Sequence, residues 1–149
     1  MKEYSIIPQE KNNFCVCSVL QSIFNKYNIS MSQKEISKNL TPSKKGFEID
    51  DKKIRDFLNN KGFYYNAYWK NETPFNEPEI VLEEMIKYDG FIGIGNHVYL
   101  VNEFNDPEII VTDPADVSKI EKDLYSVRRE MEKANSGYFC LLKNNTSNF

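Results

Sequence analysis

Residues 97–115 read HVYLVNEFNDPEIIVTDPA and hold two β-rich runs, 98–104 and 109–112, separated by an Asn-Asp-Pro turn. Short apolar runs bounded by Asn, Asp and Pro are typical of neighbouring antiparallel strands. In such a hairpin the start of the first strand lies beside the end of the second. The sequence therefore predicts that His97 and Asp113 come together, where a carboxylate fixes the imidazole tautomer and stabilises the imidazolium.

The inventory of reactive side chains limits the chemistry, because the chain has 1 His and 3 Cys. Any mechanism that needs an imidazole must use His97. The cysteines, Cys15, Cys17 and Cys140, are odd in number, and the first two are too close for an undistorted disulfide. We therefore expect a cytoplasmic protein that keeps its thiols reduced. One Cys-x-Cys pair is a weak match to zinc-ligand spacing, so we expect no metal and no other cofactor.

Length and charge exclude several classes of protein. The 149 residues suit one domain, 1–149, and the net charge of −3 gives no basic excess for nucleic acid. The N-terminus lacks the apolar run of a signal peptide, and no stretch approaches the ~20 apolar residues that span a bilayer. We expect a soluble domain without membrane insertion. A domain cut from a longer chain would show the same pattern, and the sequence does not predict an oligomeric state.

Apolar spacing and capping residues predict helices in the first part of the chain. The helices lie at residues 14–27, 32–40, 51–60 and 79–88. The predicted N-caps are Asn12 and Asn13, then Ser32 with Glu35 in a capping box, then Asp50 or Asp51. Loops are predicted at 41–47 and 70–78, and substrate specificity would depend on them.

The second part of the chain has the alternating pattern of strands. Strands are predicted at residues 63–69, 91–94, 98–104, 109–112 and 138–142. Apolar residues at helical spacing predict a further helix over 116–134, and the polar tail from Asn144 is expected to fray. Helices first and strands second indicate an α+β fold, in which an N-terminal helical half packs on a C-terminal antiparallel sheet.

Cys15 stands at the start of the first predicted helix. Partial positive charge and free N–H groups at a helix N-terminus stabilise a thiolate, which is the nucleophilic form. Six residues upstream, the amide of Gln9 can donate to a developing oxyanion beside the backbone N–H of Cys15. Buried free cysteines are also common as small core residues, so the position alone leaves both interpretations open.

The combined pattern resembles the papain-like cysteine peptidases, and most closely the small bacterial C39-like peptidases that trim double-glycine leader peptides. The matching positions are Gln9, Cys15, Leu20, His97 and Asp113-Pro114. The resemblance covers essentially the whole chain. It implies a papain-like fold, a Cys-His-Asp triad, an oxyanion site at the Gln, and a thioester acyl-enzyme formed from a peptide or protein substrate.

Residues beside the nucleophile depart from that family pattern. Phe14 and Val16 stand where the family usually has Asp and Gly, and Ser18 stands where it usually has Ala. A bulky Val16 is expected to crowd the oxyanion pocket. Cys17 is a rival nucleophile, but it lies eight residues from Gln9 and lacks a Leu five residues later.

A few further residues are candidates for substrate binding. Gly95 and Asn96 form a turn before His97, which would let a substrate backbone approach closely. Trp69 ends an aromatic run that either lines a peptide-binding wall or fills the core.

Three functions therefore compete. The first is hydrolysis of a peptide amide bond by a cysteine peptidase. The second is transfer of the Cys15 acyl group to an amine by an acyltransferase. The third is binding of a peptide or partner by a catalytically impaired papain-like module, which the missing Gly after Cys15 favours. Alkylation of Cys15 separates enzyme from binder, and the mass of the products separates hydrolysis from transfer.

Overall fold

The computed structural model describes residues 3–41, 50–69 and 77–145, with Trp69 described by its backbone alone. Along these residues three helices come first, and six strands with two further helices follow. They are α1 Cys15–Lys26, α2 Gln33–Leu40, α3 Asp51–Asn60, β1 Phe63–Trp69, α4 Pro78–Lys87, β2 Asp89–Ile94, β3 His97–Asn105, β4 Glu108–Thr112, β5 Lys119–Asp123, α5 Leu124–Ala134 and β6 Gly137–Asn144.

The strands form one sheet in the order β1-β6-β2-β3-β4-β5, and every neighbouring pair is antiparallel. The predicted hairpin is present as β3 and β4, with Leu100 opposite Thr112 and Asn105 opposite Glu108. The α+β class is confirmed. Because the hairpin is antiparallel, the start of β3 and the end of β4 lie at the same end of the sheet.

Two hydrophobic cores lie on opposite faces of this sheet. Successive strand residues point to opposite faces, so Val98 and Leu100 join the core around α1, α2 and α3. Val101 joins the second core with residues of α4 and α5. The sheet therefore fixes α1, and with it Cys15, on one face of β3.

Helix caps follow the predicted chemistry in two of three cases. The Ser32 hydroxyl accepts a hydrogen bond from the Glu35 N–H at 3.1 Å, and the Glu35 carboxylate accepts one from the Ser32 N–H, which confirms the capping box. Asp50 caps α3. The prediction that Asn12 and Asn13 cap α1 is wrong. Phe14 occupies the cap position without a side-chain hydrogen bond, because a turn bonded from Phe14 N–H to the Lys11 carbonyl feeds the chain directly into the helix.

The prediction of one helix over 116–134 is also wrong. Residues 119–123 form β5 at the sheet edge, paired with β4, and α5 begins only at Leu124. Val117 has φ +65°, a left-handed conformation that a helix excludes. Edge strands are commonly short and charged, so Lys119–Asp123 gave no apolar strand signal. Asp123 then accepts hydrogen bonds from the Tyr125 and Ser126 N–H groups and starts α5.

The C-terminal end of the described chain is fixed by sheet pairing and a backbone hydrogen bond, which its polar composition does not predict. Asn144 is buried and pairs with Phe63 in the sheet, and the Asn145 N–H donates to the Gly62 carbonyl at 2.8 Å. The expected fraying from Asn144 is therefore wrong for these two residues, and 146–149 lie outside the described residues. Most of each predicted loop, residues 42–47 of the first and 70–76 of the second, also lies outside the described residues.

None of the helices in the described ranges is long and apolar enough to cross a membrane.

Candidate active site

The hairpin brings the histidine and the aspartate into direct contact. His97 Nε2 lies 2.6 Å from Asp113 Oδ1, and both side chains are mostly shielded from solvent. A carboxylate accepts only, so the neutral imidazole carries its proton on Nε2. The other ring nitrogen, Nδ1, is then left as a proton acceptor.

Backbone hydrogen bonds hold the aspartate in a tight turn. The Ala115 N–H donates to Asp113 Oδ1 at 2.9 Å, and the Asp113 carbonyl accepts from the Val117 N–H at 2.8 Å. The Asp113 N–H donates to the Ser118 carbonyl. On the other side of the pair, the Tyr99 ring packs edge-on against the imidazole, with centroids 4.9 Å apart. The imidazole is therefore in contact with both the Asp113 carboxylate and the Tyr99 ring.

Cys15 is the first residue of α1, as predicted, and is only 1% exposed. Burial raises the pKa of the Cys15 thiol to about 11, although hydrogen bonds from the backbone at Val16 and Val98 act in the opposite direction. The nearby charge of Asp113 raises it further. The hydrogen bond from Val98 places the sulfur beside the start of β3. The N–H groups at the start of α1 lower the pKa of the thiol in the expected direction, but burial outweighs them in this conformation.

The rate of alkylation of Cys15 should therefore depend steeply on pH. Only the thiolate reacts, and its folded-state pKa lies above the ordinary value of 9.0. The thiolate fraction, and with it the rate with iodoacetamide, is expected to rise about tenfold per pH unit up to about pH 11. Peptide mapping after timed quenching measures this rate. A rate that is already constant between pH 6 and 8 contradicts the expectation.

The other two thiols provide the comparison within the same experiment. Burial raises the pKa of Cys17 to about 12, with the Cys15 charge as a further cause. Burial also raises the pKa of Cys140 well above its usual value. Labelling of Cys15 before Cys17 and Cys140 would favour Cys15 as the nucleophile.

Gln9 lies beside the aspartate turn through its backbone. The Gln9 N–H donates to the Pro114 carbonyl at 2.8 Å. Its side-chain Nε2 donates to the carbonyls of Lys11 at 3.1 Å and Asn12 at 3.3 Å. Its Oε1 is buried and has no hydrogen-bond partner within the described residues.

The three residues that depart from the family pattern are all buried. Phe14 and Val16 belong to the core around α1. The Ser18 hydroxyl donates to the Ile7 carbonyl at 2.7 Å.

The candidate substrate-binding residues lie at different distances from the pair. Gly95 and Asn96 form the turn between β2 and β3, directly before His97, with Gly95 at φ +60° and Asn96 exposed. Trp69 is in β1, and the strand register runs from it through Tyr138 and Gly93 to Val98. Three strand spacings separate the backbones of Trp69 and Val98, about 14 Å.

Sequence reasoning missed Tyr138, whose ring lies over Gly93. A Cβ at Gly93 would lie 2.2 Å from that ring, so only glycine fits there. The pKa of Tyr138 is raised chiefly by burial, and the Cys15 charge contributes. The signal for this pair is the cross-strand register, which a single sequence does not show.

No group of His, Cys, Asp or Glu side chains in the described part of the chain is arranged to hold a metal ion.

Known proteins share a family and a fold with this chain. The model of the Peptidase C39 family matches residues 3–147. No curated protein sequence matches the chain.

Three solved structures share the fold. The crystal structure of a double glycine motif protease from an AMS/PCAT transporter, in complex with the leader peptide, has TM-score 0.68 and 16% identity, and covers 95% of this chain and 92% of its own. The peptidase domain of Streptococcus ComA, a bi-functional ABC transporter involved in a quorum sensing pathway, has TM-score 0.68 and 18% identity, with coverage of 95% and 98%. The peptidase domain of Streptococcus mutans ComA, in complex with a small-molecule inhibitor, has TM-score 0.57 and 16% identity, with coverage of 93% and 98%.

At these identities the likeness shows the fold, and the expected papain-like C39 architecture is confirmed. The family match spans nearly the whole chain. The chain therefore belongs to the peptidase C39 family and has the fold of its cysteine peptidase domains.

Proposed function

We propose that this protein is a cysteine peptidase that cleaves a peptide amide bond, with Cys15 as nucleophile, His97 as base and Asp113 as the group that orients His97. The observation that carries the proposal is the His97–Asp113 contact of 2.6 Å at the start of β3. The Cys15 sulfur receives a backbone hydrogen bond from Val98, the residue that follows His97. These two contacts support a triad of Cys15, His97 and Asp113 beside the start of β3.

The first step forms the acyl-enzyme. Because the Cys15 pKa is about 11, the resting sulfur carries its proton, and His97 Nδ1 takes that proton as the sulfur attacks the carbonyl carbon. The C–S bond forms and the carbonyl electron pair moves to oxygen. The backbone N–H of Cys15 donates to this oxyanion. The Gln9 amide, whose Nε2 donates to the Lys11 and Asn12 carbonyls in the resting structure, turns one N–H from these carbonyls to the oxyanion, and Asp113 stabilises the imidazolium.

The second step releases both products. His97 returns the proton to the leaving nitrogen as the C–N bond breaks, which leaves a thioester on Cys15. His97 then takes a proton from water, whose oxygen attacks the thioester carbon. The C–S bond breaks and His97 gives that proton to the departing sulfur, which restores the resting thiol. The reaction needs a reduced thiol, which favours the cytoplasm as its location. All three cysteines are free thiols.

We propose a peptide with consecutive glycines as the substrate. One of the similar structures is a double glycine motif protease in complex with the leader peptide. The geometry of this chain supports the same class, because a nucleophilic residue that is only 1% exposed is reached most easily by residues without side chains.

Cleavage of a synthetic peptide that carries an internal Gly-Gly tests the proposal. Mass spectrometry is expected to find a cut directly after the second glycine with the unaltered protein, and none with Cys15→Ala. Cys17→Ala is the matched control, since it removes a buried thiol from the same helix, and it should keep most of the activity. Cleavage by Cys15→Ala, or its loss only in Cys17→Ala, would contradict the assignment.

A peptide-binding module without turnover is the second candidate. It is favoured by the raised pKa of Cys15 and by the two bonds that tie the Gln9 amide to its own turn. Calorimetry with the same peptide distinguishes the two candidates: binding without any product over a day supports the module.

A further inference from the structure

The buried side-chain amide of Gln33, on α2, forms hydrogen bonds with the segment that carries Gln9. Gln33 is 0% exposed, and its Oε1 accepts a hydrogen bond from the Glu10 N–H at 2.9 Å. Its Nε2 donates to the Pro8 carbonyl at 3.0 Å and lies 3.3 Å from the Ile7 carbonyl. Gln33 therefore holds the backbone on both sides of Gln9.

Two residues of α1 complete this network. Gln33 Nε2 also lies 3.0 Å from Gln21 Oε1, and Gln21 Nε2 donates to the Met31 carbonyl at 3.2 Å. The Ser18 hydroxyl donates to the Ile7 carbonyl at 2.7 Å. We call Ser18, Gln21 and Gln33 the Gln33 clamp. It joins α1, α2 and the segment 7–10, and all three side chains are buried.

The clamp has a clear physical consequence for residues 7–10. This segment belongs to no helix or strand, so the clamp and the bond from the Gln9 N–H to the Pro114 carbonyl fix its backbone. A buried polar network whose members are satisfied is rigid, and each lost partner leaves another group unpaired in the interior. An oxyanion donor must be held to within a fraction of an ångström, because a 1 Å error costs about 10²-fold in rate.

We propose that Gln33 is a positioning residue that sets the place of Gln9 at the oxyanion site, with Ser18 as a second anchor. This inference rests on the proposed peptidase function. Gln33 touches neither the thiol nor the imidazole in this arrangement, and it acts through the backbone of residues 7–10.

Gln33→Leu tests the proposal, since leucine is apolar and similar in size to glutamine. The kcat for the Gly-Gly peptide is expected to fall about 10- to 100-fold with KM changed less than about threefold, because an oxyanion donor acts mainly in the transition state. Asn39→Ala is the matched control, since it removes an exposed amide of the same helix whose one side-chain hydrogen bond within the described residues goes to the Glu35 carbonyl. It should leave kcat unchanged.

A double-mutant cycle separates positioning from general stability. In a Gln9→Ala background the donor is already absent, so adding Gln33→Leu should cost less than about twofold more in kcat. A full additional loss there overturns the proposal, because Gln33 would then act independently of Gln9. Ser18→Ala, expected to lower kcat about three- to tenfold, keeps the test decisive if Gln33→Leu fails to fold.

Hydrogen exchange gives a readout that does not depend on turnover. The Glu10 amide is expected to exchange at least about tenfold faster in Gln33→Leu than in the unaltered protein, and equal rates overturn the clamp. An unaltered protein that cleaves nothing overturns the proposed function. An active protein whose kcat is unchanged by Gln33→Leu overturns the clamp alone.

Discussion

His97→Ala is expected to lower kcat/KM for cleavage of the Gly-Gly peptide by at least about 10³-fold. The chain has 1 His, so no other imidazole can take the thiol proton or return it to the leaving amine. The Asp113 carboxylate would also lose its partner at 2.6 Å and remain as an uncompensated charge near the sulfur. Initial rates of cleavage, followed by chromatography, measure the effect. The two proteins are compared at equal concentrations of folded protein, as determined by circular dichroism.

Asn105→Ala is the control for this variant, because Asn105 is exposed at the far end of β3 and its side chain bonds, among the residues that the structure describes, with Glu103 alone. Its kcat/KM should match that of the unaltered protein. Full activity in His97→Ala would show that His97 is not the general base, and it would contradict the proposed mechanism.

Asp89→Ala is expected to lower the free energy of unfolding by about 3 kcal/mol, through loss of hydrogen bonds to a buried carboxylate. Asp89 is 0% exposed, accepts from the Tyr4 and Tyr27 hydroxyls, and lies 2.8 Å from the Lys26 ammonium. Burial and the Asp89 charge raise the pKa of both phenols. Urea unfolding measured by fluorescence should report the change.

Asp56→Ala is the matched control for Asp89→Ala. Its carboxylate lies 3.2 Å from Lys52, but both side chains are exposed, and such pairs contribute about 0.5 kcal/mol or less. Equal losses in the two variants would show that burial of the Asp89 carboxylate does not matter.

Local sequence signals predicted those parts of the structure that depend on neighbours in the chain. The capping box at Ser32 and Glu35 is complete within four residues, and the β3–β4 hairpin is bounded by its own turn. The juxtaposition of His97 and Asp113 follows from that hairpin. The register of the β3–β4 hairpin does not depend on a strand from a distant part of the sequence.

Features that depend on distant partners could not be predicted in the same way. β5 exists because β4 offers it a free edge, whereas its own residues are mainly charged. Gln33 lies 23 residues from Glu10, and Asp89 lies 85 residues from Tyr4. The sequence next to Gln33 or Asp89 therefore does not show that either residue has such a partner. The raised pKa of Cys15 likewise comes from burial by the folded chain, which opposes the local effect of the helix terminus.

The central claim is that Cys15 attacks a peptide carbonyl and carries the acyl group. Acid quenching of the protein during turnover of the Gly-Gly peptide, followed by tandem mass spectrometry, tests it directly. We predict an adduct with the mass of the N-terminal peptide fragment, in thioester linkage to Cys15 and absent from His97→Ala. An adduct on Cys17 or Cys140, or product formed in Cys15→Ala at the unaltered rate, would contradict the account.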